Sequence, residues 1–147
     1  MKGLIQTLAA VVAICSAAPL FAGDAPLVEA PAGSVRGAVL GDVKIFRGIP
    51  YAQPPVGDLR WRPPVQMPRW DGVHDATEFG TPCPQPPTPG GIILHPVTSE
   101  DCLFLNVWAP ANAHGAPVLF WIHGGSFLIG SGNAGIHDGV HQIGRAH

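Results

Sequence analysis

At 147 residues with a formal net charge of −2, the chain has room for one modest domain. It has few lysines and no basic cluster, so nothing in it suggests a nucleic-acid surface. Glycine and proline number 19 and 17, crowded mostly between Gly33 and Gly91, which excludes a helical bundle there. Trp61, Trp70 and Phe79 in the same stretch are packing anchors of a kind that disordered tracts lack.

The N-terminus opens on Met1-Lys2 and continues from Leu4 to Phe21 without a charge, ending at Leu20-Phe21-Ala22 before Gly23-Asp24. This is the plan of a secretory signal peptide over residues 1–22, and it predicts export to the periplasm or beyond. A membrane anchor is the rival, since Gly3 to Gly23 is nearly long enough to span a bilayer. Gln6, Thr7, Ser16 and Pro19 weaken that reading, and no basic stop-transfer cluster follows. No stable span is therefore expected after cleavage. A lipoprotein signal acylated at Cys15 is a third reading, disfavoured by the bulk of Ile14.

Leu27-Val28-Glu29 and Val35 to Leu40 are short β-prone runs separated by Pro31-Ala32-Gly33. Gly41-Asp42 predicts a tight turn into the alternating Val43-Lys44-Ile45-Phe46-Arg47, and hence a β-hairpin. From Gly48 to Pro68 the chain is proline-punctuated and reads as loop or sheet edge. Cys83 and Cys102 flank a Pro/Gly-rich loop. Two cysteines in an exported chain most simply form one disulfide, the alternative being two free thiols. Leu103 to Trp108 predicts a second strand, and 111–116 a connecting loop. Val118-Leu119-Phe120-Trp121-Ile122, wholly apolar, predicts a strand buried on both faces of a parallel sheet.

That run leads directly into His123-Gly124-Gly125-Ser126-Phe127. Ligand chemistry in open α/β sheets gathers beyond the carboxyl ends of such strands. Consecutive glycines let the backbone turn sharply and present bare N–H groups. This is how an oxyanion hole is built, and it points to acyl transfer or ester hydrolysis. The competing reading is that Gly124-Gly125 merely makes a tight turn.

Three segments, in order, resemble the N-terminal part of the type-B carboxylesterases, the cholinesterase-like branch of the α/β-hydrolases. They are Phe46-Arg47-Gly48-Ile49-Pro50-Tyr51-Ala52 with Pro54-Pro55-Val56-Gly57 and Leu59-Arg60-Trp61; Ser99-Glu100-Asp101-Cys102-Leu103-Phe104-Leu105-Asn106-Val107; and the His123–Phe127 loop. The likeness covers roughly residues 27–140. It implies an α/β-hydrolase fold with a mostly parallel central sheet, of which 23–141 would be the N-terminal portion. It also implies a serine esterase acting on small carboxylic esters, with no cofactor and no metal. The N–H groups of Gly125 and Ser126 would be oxyanion donors, with His123 orienting the loop and Gly124 forming it. Ser126 stands where the family usually has a third glycine, so its Cβ demands a compatible φ and narrows the acyl pocket. The resemblance further implies a Cys83–Cys102 disulfide and a structural ion pair between Arg60 and Glu100, charges set in apolar surroundings. The loop from Pro84 to Asp101 contains no aromatic residue, which argues against a choline ester held by cation–π attraction.

The nucleophile is not found. None of Ser16, Ser34, Ser99, Ser126 and Ser131 sits in G-x-S-x-G. Ser131, in Gly130-Ser131-Gly132, comes nearest and fits a glycine-rich turn better. None of the seven histidines matches the family's catalytic base. His137 and His141, four apart, suit one helix face as metal ligands but lack a third partner at suitable spacing. After Ile136-His137-Asp138-Gly139 the likeness fades, and 142–147 reads as a foreign or frame-shifted tail. The expectation is an inactive N-terminal fragment of a serine ester hydrolase. The alternative is a non-catalytic binding or adhesion module on the same scaffold. Substrate identity and oligomeric state are not legible.

Overall fold

The computed structural model describes residues 25–88 and 95–143. The predicted signal peptide and most of the predicted tail lie outside the described residues. No helix among them is long and apolar enough to cross a membrane.

Six strands form two small sheets. In the first, β1 (Leu27–Ala30) pairs antiparallel with β2 (Gly33–Arg36), which pairs parallel with β5 (Val73–Asp75). In the second, β3 (Ala38–Leu40) and β4 (Val43–Pro50) make the hairpin across Gly41-Asp42, and β6 (Phe104–Pro110) lies antiparallel on β4. The run read from Val35 to Leu40 is thus two strands, interrupted at Gly37. A Cβ there would lie 2.4 Å from Ile45 O, so the backbone passes too close for a side chain. Single 3₁₀ turns occupy Gly57–Leu59 and Gly135–His137, and α1 is the short Val140–Ile143.

The core sits between the sheets. Val35, Phe46 and Ala76 are buried there, with Ala30, Ile49 and Trp70 packed around them. Trp70 closes one side: its Nε1–H donates to Ser34 O at 3.0 Å, and its ring fills the space a Cβ on Gly33 would take. The two sheets are joined by Arg47 N–H to Ala76 O at 2.7 Å, while Ala76 N–H donates to Arg36 O at 2.7 Å and extends the β2–β5 pairing. The pairing of β4 with β6 shifts register between Phe46 and Ile49. Gly48 lies in that irregularity with φ +65°, its N–H donating to Asn106 Oδ1 at 2.9 Å.

One electrostatic contact ties β2 to β5. Thr77 Oγ1–H and Thr77 N–H donate to Asp75 Oδ1, and Arg36 meets Oδ2 at 3.0 Å. These bonds, the Thr77 hydroxyl's foremost, hold the Asp75 carboxyl below the ordinary aspartate value. A carboxyl lowered by folding adds stability above its unfolded pKa, and this is lost as pH falls through the folded value. Asp75→Asn should therefore lose less stability than wild type below the ordinary aspartate pKa of about 3.9. Denaturant midpoints at pH 7 and pH 3 measure this, and parallel losses in both proteins would refute it.

The apolar run Val118–Ile122 departs from its sequence reading. It forms no strand; each of its residues is between 66% and 90% exposed. A strand is made by its neighbours, and among the described residues none pairs with this segment.

Candidate active-site loop

The loop after Ile122 is a tight backbone reversal. Gly125 has φ +121°, Ser126 +55°, Phe127 +61° and Gly130 +109°. Leu128 N–H and Ile129 N–H both donate to Gly125 O, at 3.0 and 3.2 Å. A Cβ on Gly125 would lie 1.7 Å from Ile129 O, and one on Gly130 would lie 2.6 Å from Gly124 O. Both positions therefore require glycine for space as well as for φ.

His123 Nδ1 lies 2.8 Å from Gly124 O. A carbonyl only accepts, so Nδ1 carries the proton and the ring is fixed against its own loop. Neither Gly125 N–H nor Ser126 N–H has an acceptor among the described residues. Gly124 and Gly125 line an open cavity of about 600 Å³ together with His95, Asn133 and His137. Ser126 is exposed and is not part of that lining.

The left-handed φ of Ser126 is a position where glycine is at ease and serine is strained. Ser126→Gly should stabilise the fold by roughly 0.5–1 kcal/mol after glycine's own entropy cost. A lowered unfolding midpoint would contradict that conformation.

The residues after the loop are pinned by a polar network. Asn133 Nδ2–H donates to Gly80 O at 3.3 Å, which turns Oδ1 toward Ser131. The buried Ser131 hydroxyl donates to that oxygen. His95 Nε2, 2.8 Å from Ser131 Oγ, must then be the donor in its own contact. This is the reverse of a nucleophile handing its proton to a base. Ser131 is a structural serine. His137 Nδ1–H donates to Ser131 O at 3.1 Å, and Asn106 Nδ2–H donates to Gly132 O at 3.2 Å. His137 ends a 3₁₀ turn while His141 belongs to α1, so the two do not share a helix face. Among the described residues no group of three or more His, Cys, Asp or Glu could hold a metal.

Cys83 and Cys102 are joined by a disulfide, with Cα atoms 5.0 Å apart. Arg60 Nη2 and Glu100 Oε1 are 2.7 Å apart, but their side chains are 51% and 44% exposed. The apolar setting read from the sequence is absent, so the pair is solvent-screened and worth at most about 1 kcal/mol. One residue that sequence reasoning passed over is Gln85. Its amide binds the backbone of Gly130 at both ends, Oε1 accepting from the N–H at 2.8 Å and Nε2 donating to the carbonyl at 3.1 Å. A lone glutamine in a proline-rich loop carries no sequence signal for such a contact.

The sequence model of the carboxylesterase family matches residues 24–143. The chain belongs to the carboxylesterase family. It is 47% identical over 114 residues to the phenmedipham hydrolase of Pseudarthrobacter oxydans, covering 74% of this chain and 23% of that protein. It is 41% identical over 116 residues to the para-nitrobenzyl esterase of Bacillus subtilis, covering 77% and 24%. Among solved structures, a PNB esterase superposes with a TM-score of 0.73 at 40% identity, covering 80% of this chain and 25% of that one. The chain thus spans about a quarter of the length of these relatives, and its strands are an N-terminal part of an α/β-hydrolase fold.

Proposed function

We propose that the whole protein is an exported carboxylic ester hydrolase of the serine type, in which the 123–130 loop supplies two oxyanion donors. The observation that carries this reading is the reversal at Gly125-Ser126. It leaves two adjacent N–H groups without acceptors among the described residues, and Gly125 borders the cavity. In the proposed reaction a serine oxygen attacks the ester carbonyl and the carbonyl oxygen takes up negative charge. The N–H groups of Gly125 and Ser126 meet that charge where it develops, in the transition state rather than the bound ester. Collapse expels the alcohol and leaves an acyl-serine for water to cleave. No serine here occupies G-x-S-x-G, so the nucleophile, acid and base are assigned to residues outside this segment.

A choline ester is not the expected substrate, because the 84–101 loop has no aromatic face for a quaternary ammonium. A relative's name makes a para-nitrobenzyl ester the first substrate to try. The whole protein should hydrolyse it, and a phosphonate should inactivate it by labelling one serine, located by mass spectrometry. Residues 1–147 alone should turn over no ester above background. Tight ester binding by the whole protein without turnover or labelling would instead favour the binding-module reading.

A further inference from the structure

We propose that Gln85 is a positioning residue for the oxyanion loop, a role that rests on the esterase reading above. One primary amide satisfies both polar groups of Gly130, as a neighbouring strand would, while its Nε2 also donates to Cys83 O at 3.2 Å. Gly130 is where the loop closes on itself. Its backbone approaches so near that a Cβ would touch Gly124 O at 2.6 Å and His123 Nδ1 at 2.7 Å. Whatever fixes Gly130 therefore fixes the floor beneath Gly124 and Gly125.

Gln85 is itself well anchored. It lies two residues from Cys83, whose disulfide partner Cys102 lies two residues before β6. The path from the β4–β6 sheet through the disulfide to Gln85 and Gly130 is thus short. Beyond Gly130, Asn106 of β6 holds the Gly132 carbonyl, so the loop's exit is tied to the same sheet, and Asn133 holds the Gly80 carbonyl. Gln85 is the only side chain among the described residues that hydrogen-bonds the Gly130 peptide groups. Without it the N–H and C=O of a part-buried glycine lose their partners, and the donors at Gly125 and Ser126 lose their fixed aim.

The test uses the whole protein and the variants Gln85→Leu and Gln85→Glu. In Gln85→Leu, kcat on a para-nitrobenzyl ester should fall about 10- to 100-fold, less than the 10²–10³ of a deleted donor. KM should change less than threefold, since aim matters most to the transition state. Affinity for a trifluoromethyl ketone, which forms the tetrahedral adduct, should fall by the same factor as kcat. Gln85→Glu keeps an acceptor for Gly130 N–H and should recover an intermediate kcat. Amide hydrogen exchange over 123–130 should accelerate in Gln85→Leu while β4 and β6 stay protected. That last readout needs no activity, so it decides the role of Gln85 even if wild type hydrolyses no ester and the esterase reading fails. Unchanged exchange over 123–130, or equal acceleration across β4 and β6, would overturn the assignment.

Discussion

Gly125→Ala in the whole protein is expected to lower kcat on a para-nitrobenzyl ester by at least about 10²–10³, the effect of losing one oxyanion donor. Two independent faults meet at this residue. A backbone φ of +121° is strained for any side chain, and the added Cβ would lie 1.7 Å from Ile129 O. That oxygen belongs to the backbone, so relief requires the 125–129 reversal to open. Opening it displaces the N–H groups of Gly125 and Ser126, the two donors proposed above. KM should rise far less than kcat falls, because the ground-state carbonyl carries little charge to lose. A variant with wild-type turnover would sink the oxyanion assignment, whatever its stability.

The second large effect concerns stability. Replacing Cys83 and Cys102 together by serine should cost about 3 kcal/mol, the chain-entropy value for a closed loop of this size. The bond joins residues 19 apart in sequence and encloses the 84–101 loop, whose described residues form no helix or strand. Near it, Ser99 N–H donates to Pro82 O at 2.9 Å, and Tyr51 N–H donates to Leu103 O at 3.1 Å. These are expected to survive without the bond but to open more often. The comparison is between urea midpoints of the double serine variant and the oxidised parent. A difference below about 0.5 kcal/mol would mean that packing, and not the cross-link, holds the 84–101 loop.

Much of the local structure was legible because local chemistry decides it. Gly41-Asp42 between alternating runs could only turn back, and β3–β4 pair across it. Leu103 to Trp108 read as a strand and emerged as Phe104–Pro110, displaced by the usual uncertainty of ends. The parallel pairing of β2 with β5 was not legible, since Val73–Asp75 is three residues long and its partner lies far away in sequence. Val118–Ile122 misled for a related reason. Its composition records the company such a segment keeps in a sheet, and that company is not supplied by the described residues. At the site, the glycines that turn the loop announced themselves. Gln85 did not, because its importance lies wholly in which backbone groups it meets.

The exposed apolar run carries its own optical reporter. Trp121 stands in it at 66% exposure, against 94% for Trp61, while Trp70 and Trp108 are half-buried. Any surface that covers 118–122 must move an indole from water into an apolar setting, which shortens its emission wavelength. Trp61, remote in sequence from that run, gives an unchanging red background, and Trp121→Phe subtracts the signal. The arrival of a covering layer on this run can therefore be timed by fluorescence alone, with no label added.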